Sequence, residues 1–338
     1  MGHTLADVAR AAGVDTSTAS RVLRGESSQR VKPETRERIL QAVRDLDYRP
    51  NAVAKALRLA RSSTIGMVLP QLNNPVFSEV IAGAEAATSE RGYSLLISYR
   101  TAVSDTDVYR RLTHTNRIDG LLVASFDADE ELVAFLKDTD VPVVMINRLA
   151  AGVAHGVALN GRRAAEMATN HLLDLGHRRI AHLAGRQGGF NRRERLEGYQ
   201  AALQARGIPL DDSLVLTAGY TAEGAIEATR ALIARGGSLP TAIFAATVLT
   251  AAGAIRVLLE SGIRVPEDIS VIGLHDAEFA AILYPPLTTV KMPNLSMGSL
   301  AARMVIDLID GTVTEPRVML EPEELVLRAS TAPPRPGA

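Results

Sequence analysis

Four hydroxyl side chains and an arginine lie close together near the amino terminus of this 338-residue sequence. The segment GVDTSTASRV, residues 13–22, contains Thr16, Ser17, Thr18, Ser20 and Arg21. Short hydroxyl side chains at the start of a helix can reach base edges and phosphates, and an arginine one turn later can form a bidentate contact with guanine. An ordinary capped surface helix is the alternative interpretation. The residue types thus predict either DNA reading or simple helix capping.

The residues around this segment predict two short helices that are joined at a glycine. Thr4 can cap the first helix with Asp7 completing a capping box, and Gly13 ends it. Asp15 can cap the second helix, and a third is predicted over residues 33–46. Apolar residues recur at core spacing on all three helices: Leu5, Val8, Ala9 and Ala12; Ala19, Val22 and Leu23; Ile39, Leu40, Val43 and Leu46.

A fourth, shorter helix is predicted in YRPNAVAKALRLARS. Pro50 ends the third helix, Asn51 can cap the new one, and Val53, Ala54 and Leu57 mark one apolar face. An isolated helix of about two turns is marginal in water. This helix therefore requires a partner in order to form.

After residue 62 the sequence changes to short apolar runs that alternate with amphipathic stretches. The runs are TIGMVLP, YSLLISY, DGLLVAS, VPVVMIN, RRIAHLAG, TAIFAAT and ISVIGLHD. Buried strands that alternate with helices predict parallel sheets built from βαβ units, and there are enough strands for two sheets. With 46% hydrophobic and 22% charged residues, the composition is that of a globular protein of two or three domains.

The charges are distributed unevenly along the chain. Residues 1–61 carry 12 Lys and Arg against 7 Asp and Glu, whereas the remainder carries 25 against 31. A basic head joined to an acidic body favours a small nucleic-acid-binding module, with chance variation as the alternative.

The amino terminus lacks the pattern of a secretory signal. The uncharged run SLPTAIFAATVLTAAGAI contains Pro240 and is rich in Ala and Thr, so a strand followed by a helix is predicted there rather than a membrane span.

Residue patterns typical of enzymes and metal sites are missing from the sequence. It contains no cysteine, which excludes disulfides and thiolate chemistry. It also lacks a P-loop, a dinucleotide-binding G-x-G-x-x-G and a G-x-S-x-G nucleophile motif. His171, His177 and His182 are not at the spacing of a helical metal pair, so a structural role is predicted for them. No cofactor and no metal are expected.

Several segments in sequence order resemble the LacI/GalR family of bacterial transcription regulators. They are TLADVARAAGVDTSTASRVLRG, RVKPETRERI, YRPNAVAKAL, IGMVLPQLNNPVFSEVIAGAE, HLLDLGHRRIAHLAG, RRERLEGY, VPEDISVIGLHD and PPLTTV. The resemblance implies an all-α helix-turn-helix headpiece and an α/β periplasmic-binding-protein-like core of two Rossmann-like lobes. The implied boundaries are residues 1–49 for the headpiece, 50–61 for the hinge helix, 62–331 for the core (lobe 1 about 62–160 and 291–320, lobe 2 about 161–290 and 321–331) and 332–338 for a disordered tail.

The resemblance also implies which residues contact DNA. Thr16, Ser17 and Arg21 correspond to positions that read the major groove, and Leu57 corresponds to a hinge leucine that wedges into the minor groove. A leucine buried under a short helix is the alternative for Leu57. The full set of expected DNA contacts is Thr4, Thr16, Ser17, Thr18, Arg21, Asn51, Ala54, Lys55, Leu57 and Arg58.

Two departures from the family affect the headpiece. The loop RGESSQRVK is about two residues longer than usual, which should change phosphate contacts or packing slightly. Lys32 occupies a position where a capping Ser or Thr is usual, and the loss of that cap should cost about 1 kcal/mol.

Residues in strand-end loops are implied to bind a small-molecule effector between the lobes. Arg195 is the strongest of them because a forked guanidinium suits hydroxyl pairs, carboxylates or phosphates, with a surface arginine as the alternative. The expected effector contacts are Asn74, Phe77, Asn147, Arg148, Asn191, Arg195, Thr247, His275 and Asp276.

This sequence departs from the family pattern within that set. Thr247-Val248 replaces a common Asn-Asp, His275-Asp276 replaces Asp-Asp, and Asn147-Arg148 replaces Asp-Arg, so three carboxylates are missing. Carboxylates accept hydrogen bonds from sugar hydroxyls. The hypothesis is therefore an effector that is anionic or less hydroxylated than a free sugar, such as a phosphorylated sugar, a carboxylate or a nucleobase-like metabolite.

The predicted function is that of a cytoplasmic, nucleoid-associated repressor that binds a palindromic operator as a homodimer, with a tetramer as the alternative assembly. Either sign of the effector response is compatible with the sequence. The segment NNPVFSEVIAGAE and the helix at about 294–310 are candidates for the dimer face, although Leu300 and Met304 are equally compatible with a core position. A solute-binding protein and an enzyme on the same two-lobed scaffold are the rival interpretations.

Overall fold

The computed structural model describes residues 3–23, 31–48, 61–72, 74–99, 106–114, 117–124, 130–312 and 315–336. The chain divides into two compact units, Met1–Ser62 and Ser63–Ala338. The first is the headpiece and the second is the sensor unit. They are described separately below.

The headpiece contains three described helices that pack around a small apolar core. They are α1 (Leu5–Ala12), α2 (Thr16–Leu23) and α3 (Pro33–Asp45). The core is made by the apolar faces that the sequence predicts, because residues three and four apart share one side of a helix. Its buried members are Val8, Ala9, Ala12, Ala19, Val22, Ile39 and Ala42.

The ends of the headpiece helices confirm the capping signals in the sequence. The Thr4 hydroxyl accepts the Asp7 amide while the Asp7 carboxylate accepts the Thr4 amide, which forms a capping box. Gly13 ends α1 in the left-handed conformation, with φ of 65°. Lys32 provides no side-chain cap for α3, as its residue type predicts.

The sensor unit is an α/β structure with two six-stranded sheets. The first sheet has the strand order β11-β5-β4-β3-β1-β2 and the second β12-β10-β9-β8-β6-β7. All pairings are parallel except β10 with β12. The strands are β1 (Thr64–Leu69), β2 (Ser94–Tyr99), β3 (Gly120–Ala124), β4 (Val143–Ile146), β5 (His155–Leu159), β6 (Ile180–Ala184), β7 (Val215–Thr217), β8 (Ala242–Ala245), β9 (Ser270–Leu274), β10 (Thr288–Lys291), β11 (Arg317–Leu320) and β12 (Glu324–Val326).

Helices connect the parallel strands, since a parallel crossover requires a long connection. They are α4 (Val76–Glu90), α5 (Asp107–Thr113), α6 (Glu130–Asp138), α7 (Gly161–Asp174), α8 (Phe190–Ala205), α9 (Ala222–Ala234), α10 (Val248–Glu260) and α11 (Asn294–Ile309). The chain crosses between the sheets three times, at Asn160, at residues 292–293 and at residues 321–323. The predicted fold class, a helix-turn-helix headpiece with a two-lobed α/β core, is confirmed.

Helices α4 and α11 cross at two glycines. A Cβ atom on Gly298 would lie under 3.0 Å from backbone atoms of Val80, and one on Gly83 would lie equally close to backbone atoms of Leu295. The two backbones therefore touch at this crossing, with no room for a methyl group. Met304 on α11 is buried in the core, so its side chain belongs to the interior of the unit.

The long uncharged run of the sequence is divided as predicted, into β8 and α10. Both elements are largely buried in the second lobe. In the described part of the chain, no helix has both the length and the apolar character that a membrane span requires.

The prediction of a disordered tail from residue 332 is wrong for the residues that the structure describes there. Ala332 donates its amide to Ser270 Oγ at 3.0 Å, and its carbonyl accepts from His177 Nε2 at 2.9 Å and from Ser270 Oγ at 3.0 Å. Arg335 forms an ion pair with Asp268 at 2.6 Å. The Pro-rich composition indicated only that this segment has no core of its own, whereas its backbone is held by polar groups of the second lobe.

Candidate functional site

The outward face of α2 carries the residues that were expected to read DNA. Thr16 and Ser17 are exposed, and Arg21 is half-buried. In this structure Arg21 folds back along its own helix, donating from Nε to the Ser17 carbonyl and from NH2 to Ser17 Oγ, both at 3.3 Å. A base contact by Arg21 therefore requires these weak bonds to open. At 3.3 Å these hydrogen bonds are longer than usual, so the Arg21 side chain can exchange them for hydrogen bonds to a base edge.

The first turn of α2 is organised by Asp15. Its Oδ1 accepts the Thr18 amide at 2.8 Å and the Ser17 hydroxyl at 2.6 Å, and its Oδ2 accepts the Thr18 hydroxyl at 2.7 Å. These hydrogen bonds hold the pKa of Asp15 well below its usual value. The Thr18 hydroxyl is thus engaged within the helix, while Ser17 and Thr16 remain at the surface.

Removal of this cap should loosen the recognition helix. We expect Asp15→Ala to cost about 1 kcal/mol of headpiece stability, since the cap satisfies an amide that the helix leaves without a partner. Hydrogen exchange of the α2 amides should accelerate accordingly. Asp15→Asn is the control, because asparagine caps equally well. Equal exchange rates in Asp15→Ala and the unsubstituted chain would contradict the assignment.

The remaining expected DNA contacts are distributed between described and undescribed residues. Thr4 uses its hydroxyl in the capping box of α1, where it also donates to Asp7 Oδ2 at 2.7 Å. The expected hinge contacts lie outside the residues that the structure describes: Asn51, Ala54, Lys55, Leu57 and Arg58.

A narrow cavity, partly open to solvent, lies between the two lobes, at the ends of the strands. Both lobes contribute to its wall. The lining residues are Asn74, Val76, Phe77, Asn147, Asn191, Arg195, Tyr220, Thr247 and His275.

Three helices begin at this cavity. Val76 and Phe77 are the first residues of α4, Asn191 is the second residue of α8, and Thr247 is the residue that caps α10. Helix amino termini direct backbone amides and the positive end of the helix dipole toward the space in front of them. The geometry favours a negatively charged or strongly accepting group in the cavity.

Arg195 is the charged residue of the cavity wall and is only 4% exposed. Its NH1 donates to the Ala246 carbonyl at 2.8 Å, and its NH2 donates to His275 Nε2 at 3.0 Å. Its guanidinium carbon lies 5.7 Å from the centre of the Tyr220 ring. Within the described residues, Arg195 Nε has no hydrogen-bond partner. Burial lowers the pKa of this arginine, although an arginine remains charged in proteins.

His275 connects Arg195 to the first lobe through a row of hydrogen bonds. His275 Nδ1 bonds to Asn294 Oδ1 at 3.2 Å, and Asn294 Nδ2 donates to Glu79 Oε2 at 3.0 Å. Arg195 NH2 can only donate, so His275 Nε2 accepts from it. The Asn294 amide nitrogen donates to Glu79, which leaves the Asn294 oxygen to accept from His275 Nδ1, so the histidine carries its proton at Nδ1. Burial, and then the charge of Arg195, lower the pKa of His275 to about 3, so its imidazole is neutral at pH 7.

Asn147 and Asn191 form the part of the cavity wall near the end of β4. Asn191 Nδ2 donates to the Asn147 carbonyl at 3.1 Å. Asn147 Oδ1 is buried and has no hydrogen-bond partner among the described residues. Asn147 and His275 also have positive φ angles, 64° and 63°, which are uncommon for residues other than glycine. Such backbone strain is concentrated at functional sites, and here both residues face the same cavity.

Two residues of the expected effector set are not part of the cavity wall. Asp276 turns away and accepts hydrogen bonds from Arg328 at 2.8 and 2.9 Å, one on each carboxylate oxygen, and from the Thr289 hydroxyl at 2.7 Å. Arg148 is buried with 1% exposure but does not line the cavity. In each of the pairs Asn147-Arg148 and His275-Asp276, the first residue has a positive φ angle and lines the cavity, whereas the second does not line it.

Tyr220 lines the cavity but was not anticipated from the sequence. It follows β7 and precedes α9, which is the strand-end position that identified the other members, so the same signal could have found it. Its ring packs against Gly185, where a Cβ atom would collide with the Tyr220 hydroxyl.

The histidines at positions 171, 177 and 182 have structural surroundings. His177 bonds to Thr241 and Ala332, and His171 to Thr331. His182 is fully buried in β6, stacked on Phe244 with ring centres 4.5 Å apart. Over the ranges that the structure describes, no group of three or more metal-binding side chains was found.

Comparison with known proteins gives the same result for both units. A model described as "Bacterial regulatory proteins, lacI family" matches residues 4–51, and a periplasmic binding protein-like domain matches residues 169–331. The HTH-type transcriptional repressor PurR of Photobacterium profundum is 35% identical over 331 residues, covering 97% of this chain and 98% of that relative. The HTH-type transcriptional regulator CelR of Thermobifida fusca is 36% identical over 333 residues, covering 96% and 97%.

The crystal structure of the lac repressor dimer bound to operator and the anti-inducer ONPF is also similar. It has a TM-score of 0.87 and 29% sequence identity, covering 98% of this chain and 100% of that chain. The relatives are regulators rather than enzymes. Because the similarity extends over nearly the whole chain, this protein belongs to the LacI family of bacterial regulatory proteins and is a DNA-binding transcriptional regulator.

Proposed function

We propose that this regulator represses transcription by binding a palindromic operator as a homodimer, and that a small molecule in the cavity controls the binding. The observation that carries the proposal is the outward face of α2, where Ser17 and Thr16 are exposed beside a loosely held Arg21. Such a helix suits the major groove, with phosphate contacts from the basic headpiece. Action on chromosomal DNA implies a cytoplasmic, nucleoid-associated protein.

Exposed apolar side chains on the sensor unit support the homodimer. Ile282 is 82% and Tyr284 is 84% exposed, and they lie only two residues apart. Leu295 at the start of α11 and Tyr99 on the edge strand β2 are also more than half exposed. A second copy of this chain would cover these side chains and place two headpieces on two half-sites.

Control by the effector follows from the position of the cavity between the lobes. A ligand that favours one spacing of the lobes shifts the population of that state, and the headpieces respond through the hinge. The sign of the response depends on which spacing the ligand prefers. Residues 50–61, which are proposed as the hinge, would link the sensor unit to the headpiece.

The proposal is tested by selecting operator sequences from random DNA with the full-length protein and then measuring affinity at several salt concentrations. We expect a palindromic consensus, a complex with two protein chains per duplex, and affinity that falls steeply with salt because phosphate contacts release counterions. A solute-binding protein would select no sequence. Selection of an asymmetric site by a single chain would contradict the homodimer.

Replacement of Arg21 tests its assignment as a base-reading residue. Arg21→Ala should cost about 1–3 kcal/mol of operator binding and relax the sequence preference at one position of each half-site. Arg36→Ala is the matched control, since Arg36 is an exposed arginine on α3 rather than on α2. The control should weaken binding slightly and equally for all sequences. An unchanged consensus with Arg21→Ala would show that Arg21 reads no base.

A further inference from the structure

We infer that the effector of the cavity is a small molecule in which a carboxylate or phosphate group lies next to a hydrogen-bond donor. This inference deepens the proposed function and rests on it, since it takes the cavity to be the effector site. The three missing carboxylates left several ligand classes open. The charge of the cavity and the unpaired polar atoms of its wall favour one of these classes.

The charge of the cavity is not neutralised by the protein. Arg195 is 96% buried, and its contacts are the Ala246 carbonyl, the uncharged imidazole of His275 and the ring of Tyr220. The neighbouring Asp276 is paired with Arg328 instead. A buried charge without a counter-ion is costly, so the site is completed by a ligand that brings the negative charge. A neutral sugar or nucleobase would leave this cost in place.

Two residues of the cavity wall each have an unpaired polar atom that such a ligand could satisfy. Arg195 Nε is a buried donor and Asn147 Oδ1 is a buried acceptor, and neither has a partner among the described residues. The donor requires an acceptor, which an anionic oxygen supplies. The Asn147 oxygen requires an N–H or O–H from the same ligand. A hydroxy acid, an amino acid or a sugar phosphate has both groups close together.

The helices around the cavity favour the same ligand class independently. The amino termini of α4, α8 and α10 all begin at the wall, so their dipoles add positive potential to that of Arg195. The shared requirement is an anionic ligand, whether its charge comes from a carboxylate or a phosphate.

The test uses pairs of probes that differ mainly in the anionic group. Thermal shift and calorimetry on the full-length protein would compare lactate with propane-1,2-diol, glycerol 3-phosphate with glycerol, and glucuronate with glucose. We expect the anion of at least one pair to raise Tm by about 2–4 °C when it is well above its Kd, and its neutral partner to have no effect. The pair that responds distinguishes a carboxylate from a phosphate ligand.

Variants at Arg195 assign the binding to the cavity. Arg195→Met should abolish the response, and Arg195→Lys should keep part of it because the charge remains without the forked geometry. Arg193→Met is the matched control, since Arg193 lies on the same helix with its side chain 60% exposed. Stabilisation by a neutral partner alone, an equal response in Arg195→Met, or no response to any of the anions would overturn the inference.

Operator binding, measured in parallel, separates failure of the inference from failure of the proposed function. If the operator is bound and only neutral probes alter its affinity, the ligand class is wrong and the regulatory function stands. If an anion binds through Arg195 without changing operator affinity, the ligand class stands and control through this cavity is wrong.

Discussion

Substitution of Gly298 by alanine is expected to lower the free energy of unfolding of the sensor unit by about 3 kcal/mol, at the upper end of the usual cost of overpacking. The added methyl group would collide with backbone atoms of Val80 on α4, which cannot rotate away as a side chain could. The two helices must therefore separate, and the contact at Gly83 on the opposite side of the crossing would be lost with them. Urea unfolding of the full-length protein measures the effect.

A second substitution on α11 is the control for the urea unfolding experiment. Ser296→Ala adds no atoms and removes one oxygen at an exposed position of the same helix, so the unfolding midpoint should change little. Gly83→Ala should reproduce the effect of Gly298→Ala. A Gly298→Ala protein as stable as the unsubstituted chain would mean that the helices are further apart than the structure shows.

Acidification from pH 7 to pH 5 is expected to destabilise the sensor unit by about 4 kcal/mol through two buried histidines. Burial, as the largest cause, lowers the pKa of His182 and of His275 to about 3 in the folded state, whereas an unfolded histidine titrates near 6.5. Between these values the unfolded chain binds protons that the folded chain does not. Stability therefore rises with pH across this window, by about 2 kcal/mol for each histidine between pH 5 and pH 7.

Single substitutions divide this pH dependence between the two sites. His182→Phe and His275→Asn should each remove about half of the difference in unfolding free energy between pH 7 and pH 5. His114→Gln replaces an exposed histidine and should leave the difference unchanged. If all three variants showed the full pH dependence, its source would be other titrating groups, such as His171 and His177, whose pKa values burial also lowers.

The headpiece and the alternation of strands and helices could be predicted because local signals determine them. Thr4, Gly13 and Asp15 mark helix ends through hydrogen bonds that reach only three or four residues along the chain. The buried strands likewise appear as short apolar runs. The close crossing at Gly298 could not be predicted, since its reason is a backbone that lies more than two hundred residues earlier.

The cavity residues could be assigned to strand-end loops, but which of their side chains face the cavity could not be predicted. Arg195, Asn147 and His275 were identified through the resemblance to the LacI/GalR family, which implies effector contacts in strand-end loops, and they do line the wall. Which member of an adjacent pair turns inward depends on distant partners, as Asp276 shows by pairing with Arg328. The direction of the hydrogen bonds through His275 depends on Glu79, a residue of the other lobe, so no local pattern reveals it.

The late positions of β11 and β12 have a consequence for biosynthesis. These strands complete the edges of the first and second sheets, respectively, and they are separated by only three residues. Domains usually fold in the order in which the ribosome produces them. Here the headpiece can fold early, but the first sheet is complete only when residue 320 has been made and the second only when residue 326 has been made. Both lobes therefore hold unfinished edges during most of translation and complete their sheets within a few residues of each other.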